Sequence, residues 1–148
     1  MLSILVIDDN LHLQIAFRKT LTTAGYRVYL ASDGEEGLRV ASTQTPDVIV
    51  LDMLLPKLGG VDVLRNLKQD HATLEIPVIA LSSLPRCNEA KIIREGAVSY
   101  LEKQRLEDSS VLLQAIDHAL LLPRHNEFQR TAFRPNQENA WPSDKLRN

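Results

Sequence analysis

Short runs of Val, Ile and Leu recur along the first hundred residues, at 3–7 (SILVI), 27–31 (RVYLA), 48–51 (VIVL), 78–81 (VIAL) and 99–101 (SYL). None exceeds five residues, and their nearly unbroken apolarity predicts strands buried on both faces. Between them the spacing is helical. Leu13, Phe17 and Leu21 fall at i, i+4 and i+8, and Gly25 stops that helix just after Ala24. Ser32 and Glu35 have capping-box spacing ahead of Leu38. Val61, Leu64 and Leu67 make a third stripe, and Ile92, Ile93 and Ala97 a fourth. Leu112, Ala115, Ile116, Ala119 and Leu120 make the fifth and strongest. Five β-α units with short crossovers predict a parallel sheet carrying helices on both faces, an α/β fold.

After Pro123 this rhythm stops. The segment RHNEFQRTAFRPNQENAWPSDKLRN scatters Phe128, Phe133 and Trp141 through polar residues. The expectation is one domain over 1–122 and a polar C-terminal tail over 123–148, with no second domain.

In sheets of this kind ligands bind beyond the carboxyl ends of the strands, where the strand order reverses. Residues with chemical capability do gather at those ends. The first run leads into Asp8-Asp9, the third into Asp52, the fourth into Ser82-Ser83, and the fifth into Lys103 two residues on. Asp52 is the conspicuous one, because VIVLDMLLP sets a single acid in an otherwise apolar run. A carboxylate beside a buried strand costs several kcal/mol to desolvate unless a cation, a donor or a proton compensates it (roughly). Three acids brought together repel one another, and a hard divalent cation with oxygen ligands relieves that repulsion. So few protein oxygens favour Mg²⁺, with Mn²⁺ as an alternative, completed by water and a phosphate. Beside such a metal, Asp52 would be a nucleophile toward phosphorus, with Lys103 and the Ser82 hydroxyl on the phosphoryl oxygens.

Each residue also has a plainer reading. Asp8 and Asp9 alone would suit the N-cap ahead of Leu11, Ser82 the cap of the fourth helix, Lys103 a solvated loop, and Tyr100 a core aromatic. His12, His71, His118 and His125 share no metal-ligand spacing, and Cys87 is the only cysteine, which excludes an internal disulfide. Charge narrows the partners further. The chain carries a formal net charge of −2, which offers no general attraction to nucleic acid or to an anionic membrane. The N-terminal apolar run is too short for a signal sequence or a membrane span. A cytoplasmic location is expected.

The acids of ILVIDDN, the acceptor in LDMLLPKLGG, the serine in PVIALSS and the lysine in GAVSYLEK, taken in that order, resemble the four motifs of the receiver domain of two-component response regulators. Singly each is weak; together they cover residues 1 to about 122. The resemblance implies a flavodoxin-like (βα)5 doubly wound sandwich with strand order 2-1-3-4-5. It also implies a stand-alone signalling phosphoacceptor that is not an enzyme in its own right. By resemblance Asp9, Asp52 and the backbone carbonyl of Leu54 would ligate Mg²⁺, with Asp8 holding it through water. Asp52 would accept a phosphoryl group from a sensor histidine kinase or a histidine phosphotransfer protein. Ser82 and Tyr100 would then act as the switch, changing a surface made by the fourth helix, fifth strand and fifth helix, which a downstream protein or a second copy would read. Gly60 and Gly96-Ala97 sit where the family has small residues. The alternative is a receiver-like docking module that works without phosphorylation. A phosphohydrolase resembling the haloacid dehalogenases would need an acid at Leu54, which the chain lacks.

Three positions depart from the family pattern. Gln104 follows Lys103 where a proline in a cis bond is usual, so the loop is either rerouted or strained. The interval from Ser82 to Gly96 is one residue short, leaving Ser83 as a substitute for Ser82. Leu54 and Leu84 are apolar where polar residues often flank the phosphoryl group, which implies slow self-dephosphorylation.

Overall fold

Four of the five residues of the first strand, β1 (Ser3–Ile7), have no exposure at all, and the same holds for Val48–Leu51 in β3 (Val48–Asp52) and Val78–Leu81 in β4 (Val78–Ser82). The computed structural model describes residues 1–83 and 88–123. These three strands are continuous apolar runs because both of their faces are covered. The outer strands, β2 (Arg27–Ala31) and β5 (Ser99–Glu102), are only partly buried. The five strands form one parallel sheet in the order β2-β1-β3-β4-β5.

Successive side chains of a strand point to opposite faces, and the core divides accordingly. Leu5, Ile7, Ile49, Leu51, Val78 and Ala80 face one way. They pack with α2 (Gly34–Gln44), α3 (Gly60–Gln69) and α4 (Glu89–Arg94) through residues such as Ala41, Leu64, Leu67 and Ile92. Ile4, Val6, Val48, Val50, Ile79 and Leu81 face the other way, onto Phe17 and Leu21 of α1 (Leu11–Thr23) and Leu112, Ile116 and Ala119 of α5 (Ser109–Leu121). The expected doubly wound α/β sandwich is therefore the fold.

Local details differ from the sequence pattern for identifiable reasons. Helix α2 is capped by Asp33, whose side chain accepts the Glu36 N–H, while Glu36 reaches back to the Ser32 N–H. The capping box is thus one residue later than Ser32-Glu35, because an Asp at the cap competes well with Ser. Asn10 caps α1 by accepting the Leu13 N–H, so neither Asp8 nor Asp9 is used for that purpose. The buried stripe of α1 is Gln14, Phe17 and Leu21, with Leu13 half-buried at its flank. Gly25 ends that helix at φ +100°, where a side chain would be strained. Helix α4 is short, and Ala97 packs from beyond its end. Arg65 of α3 holds Glu95, just past α4, through two bonds of 2.9 Å.

At Gly60 the N-terminus of α3 presses on the end of β3. An added methyl there would lie 2.4 Å from the Met53 Cα and 2.9 Å from the Asp52 carbonyl oxygen. Gly60→Ala is therefore expected to lower stability in denaturant unfolding by about 1–3 kcal/mol. Gly59→Ala, whose methyl meets nothing within 4 Å, should lose less than about 1 kcal/mol, as a poorer N-cap. A Gly59→Ala loss equal to or larger than that of Gly60→Ala would contradict the contact.

Candidate functional site

Strand register brings the acids together. Ile7 of β1 pairs with Leu51 of β3, so the next residues along each strand, Asp8 and Asp52, stand side by side at the carboxyl edge. Adjacent strands lie about 4.8 Å apart, and β1 and β3 flank the point where the order reverses. Asp8 is fully buried and Asp52 nearly so, at 1% exposure, while Asp9 is exposed. One carboxylate oxygen from each of Asp8, Asp9 and Asp52 lies within 4.8 Å of the others.

Among the described residues one cation meets this cluster. The Lys103 Nζ lies 3.0 Å from Asp8 Oδ2 and 3.2 Å from Asp52 Oδ2. Backbone donors take the other oxygens: Asp8 Oδ1 accepts the Asn10 N–H at 2.9 Å, and Asp52 Oδ1 accepts the Leu54 N–H at 3.1 Å. Asp8 Oδ2 makes no well-directed hydrogen bond although it is buried, so its contact with Lys103 is that of an ion pair. It is the one buried side-chain atom among the described residues left in that condition.

Three carboxylates against one ammonium leave a local excess of negative charge. Burial raises the Asp52 carboxyl above the ordinary Asp value; the Leu54 N–H opposes this, the Asp8 charge adds to it, and Lys103 partly offsets it. Burial acts to lower the Lys103 ammonium, but its close contact with Asp8 and the charges of Asp8 and Asp52 outweigh that and raise it. A buried, imperfectly satisfied carboxylate oxygen within a converging triad of hard oxygen donors suits a small divalent cation such as Mg²⁺.

Other sequence candidates have separate positions. Ser82 ends β4 one residue beyond the Asp52–Leu81 pair and is buried, whereas Ser83 is exposed, so Ser82 is the hydroxyl on the strand. Helix α4 begins at Glu89, too far along for Ser82 to cap it. Tyr100 pairs with Ala80 and is buried in the core on the α2-α3-α4 face. The Leu54 side chain stands half-exposed at the rim. Leu84, Arg86 and Cys87 lie outside the described residues, as do 124–148. The link from Lys103 to Gln104 is resolved as rerouting: no peptide bond among the described residues is cis, and the chain turns directly into a 3-10 helix, Lys103–Glu107.

Two site residues escaped sequence reasoning. Asn10 caps α1 and offers its N–H to Asp8. Gln14 is 5% exposed and turns its amide to the end of β1. The readable signal for Gln14 was a polar residue at i−3 and i−7 from Phe17 and Leu21, on the apolar face itself.

The chain matches the response regulator receiver domain over residues 4–117 and belongs to that family. Among curated relatives, the dual master transcriptional regulator RpaA of Synechocystis is 35% identical over 131 residues, covering 84% of this chain and 54% of that protein. The transcriptional regulatory protein KdpE of Mycobacterium tuberculosis is 40% identical over 101 residues, 68% of this chain and 43% of KdpE. The chain thus spans about half the length of these relatives. Among solved structures, the chemotaxis protein CheY4 of Vibrio cholerae superposes with a TM-score of 0.75 at 26% identity, covering 81% of this chain and 99% of CheY4. A receiver domain of a sensor histidine kinase from Pseudomonas aeruginosa, solved with magnesium coordinated in its active-site cleft, gives 0.65 at 31% identity, covering 76% of this chain and 95% of that one.

A pH dependence follows from the raised Asp52 value. The folded protein holds this proton more tightly than the unfolded chain does. The group's contribution to stability is therefore present below its unfolded value and lost as pH rises through its folded value. Without divalent metal, Asp52→Asn should melt at a higher temperature than the wild type near neutral pH. That advantage should shrink as pH falls toward the ordinary Asp value of 3.8. Thermal unfolding of both proteins across that range checks it, and an Asn variant less stable than wild type at neutral pH would contradict it.

Proposed function

We propose that this receiver accepts a phosphoryl group on Asp52 from a phosphohistidine of a sensor kinase or phosphotransfer protein, in a Mg²⁺-dependent reaction, and signals through a protein-contact surface. The observation that carries the reading is the Asp52 carboxylate, buried at the end of β3 with the Lys103 ammonium 3.2 Å away and Asp8 and Asp9 beside it. Asp9 and Asp52 would bind the metal directly with the Leu54 carbonyl, and Asp8 through water. When bound, Mg²⁺ supplies positive charge to the phosphoryl oxygens and relieves the repulsion among the acids.

In the transfer, a carboxylate oxygen of Asp52 forms a bond to phosphorus as the phosphorus–nitrogen bond of the donor histidine breaks, and the imidazole keeps the electron pair. The product on this chain is an acyl phosphate. Lys103 is held charged by Asp8 and Asp52, so it is ready to pair with an incoming phosphoryl oxygen. Charge placed where the transferring group develops it is the main catalytic resource in phosphoryl transfer. Ser82, at the end of the adjacent strand, would donate its hydroxyl to another phosphoryl oxygen.

The output surface is α4-β5-α5. Tyr100 on β5 is already packed inward, and Ser82 pairs with Glu102 of the same strand. A shift of Ser82 toward the phosphoryl group would thus be felt along β5 and by α4. A downstream protein or a second copy would read that change, in the cytoplasm, with the receiver itself, 1–122, acting as a phosphoacceptor and not as a turnover enzyme. Residues 123–148 would form a polar tail to this unit. No DNA contact by the receiver is proposed.

Incubation with Mg²⁺ and acetyl phosphate should add one phosphate to the wild type and none to Asp52→Asn, read by intact-protein mass spectrometry. The apolar Leu54 side chain offers attacking water no polar partner, so the label should be long-lived, and Leu54→Asn should shorten its half-life several-fold. Wild type that stays unmodified while a control receiver is labelled would defeat the proposal. Partner binding unaltered in Asp52→Asn would favour docking without phosphorylation.

A further inference from the structure

Gln14 occupies the apolar face of α1, one and two turns before Phe17 and Leu21, yet it is 5% exposed. A buried amide is retained at low cost only if its polar atoms are bonded. Its Nε2 donates to the carbonyl oxygen of Asp8, and has the Ser32 Oγ at 3.2 Å and the Ala31 carbonyl at 3.4 Å. The same Ala31 carbonyl accepts the Asp8 N–H at 3.0 Å. One side chain therefore joins the exit of β1 to the exit of β2.

We propose that Gln14 is a positioning residue for the acidic pair. The Asp8 carbonyl and the Asp9 N–H belong to one rigid peptide plane. Anchoring that carbonyl fixes the plane, and with it the position of the Asp9 Cα from which the side chain departs. On its other side Asp8 is fixed by the Asn10 N–H at Oδ1 and by the Asp8 N–H to Ala31. Asp8 is buried within the strand layer and has no freedom to adjust, whereas Asp9 is exposed. The carboxylate most in need of placement by its backbone is thus the one that follows the anchored plane. The Gln14 amide touches no part of Asp9 or Asp52 in the contacts above. Its effect passes through the Asp8–Asp9 peptide, and the residue keeps Asp9 close enough to Asp8 and Asp52 for the three to share one cation.

The inference rests on the Mg²⁺ reading of the site, and its test separates the two. Gln14→Met keeps length and volume while removing the donor. Supporting groups of this kind change metal affinity by roughly 10–100-fold when lost, so calorimetric titration should show Gln14→Met binding Mg²⁺ at least about tenfold more weakly than wild type. Leu21→Val, a core change in the same helix far from the acids, lowers thermal stability but should leave Mg²⁺ affinity within about twofold of wild type, being outside the metal's supporting groups. If Gln14→Met fails to fold, Gln14→Asn withdraws the amide by one methylene and is read in the same way. A folded Gln14 variant with wild-type Mg²⁺ affinity overturns this inference alone. Equal weakening in Leu21→Val also overturns it, by reducing the effect to general loosening. Wild type that binds no Mg²⁺ overturns both this inference and the reading beneath it.

Discussion

Two carboxylates cannot be buried side by side at the ends of neighbouring strands without a compensating charge, and the rest of this structure is arranged around that constraint. Asp8 and Asp52 have essentially no contact with solvent, and a single ammonium stands about equally near both. Lys103 cannot balance two acids, still less three with Asp9 alongside. The site is electrostatically incomplete, and the missing charge is what a divalent cation would bring. Burial raises the Asp52 carboxyl above the ordinary Asp value, and the neighbouring Asp8 charge adds to that rise. Metal binding and phosphoryl acceptance would then be two expressions of one imbalance.

The fold makes the imbalance tolerable. Parallel strands buried on both faces carry the backbone polar groups in their ladders, so the strand ends are rigid when they reach the acids. The strand order reverses between β1 and β3, the place where sheets of this kind bind ligands beyond the carboxyl ends of their strands. Around the acids, backbone N–H groups from Asn10 and Leu54 take the carboxylate oxygens that point away from Lys103. Gly60 lets α3 begin directly against the end of β3, without a side chain to hold it off. Each of these contacts is made by backbone close in sequence to an acid, and each restricts how far that acid can move.

Much of this was legible in the sequence, and the parts that were not have physical reasons. The strands could be read within a residue of their ends, because a strand covered on both faces must be apolar throughout. The acids could be placed together, because a parallel sheet delivers strand ends to one edge. What the pattern could not supply was the use of individual polar atoms. Gln14 went unnoticed beside Leu13, Phe17 and Leu21, since nothing in a spacing tells whether a buried amide will find carbonyls to bond. Asp33 took the cap that Ser32 was expected to fill, a choice between two good capping residues decided by the loop's path. Gln104 left the route after Lys103 open, and the chain resolved it with a 3-10 turn because no proline demanded otherwise. Tyr100, whose plainer reading was a core aromatic, is buried in the cluster that also holds Ile92 and Ala97.

The central claim is that the three acids and one lysine form a site completed by a divalent cation. The most direct measurement is the thermal midpoint of unfolding as Mg²⁺ is titrated into the metal-free protein. A ligand that binds only the folded state stabilises it by about 2.7 kcal/mol at a hundred times its dissociation constant. The account predicts a saturating upward shift of the midpoint in the wild type, strongly reduced in Asp9→Asn and in Asp52→Asn. A midpoint that does not move with Mg²⁺, or that moves equally in all three proteins, would contradict it.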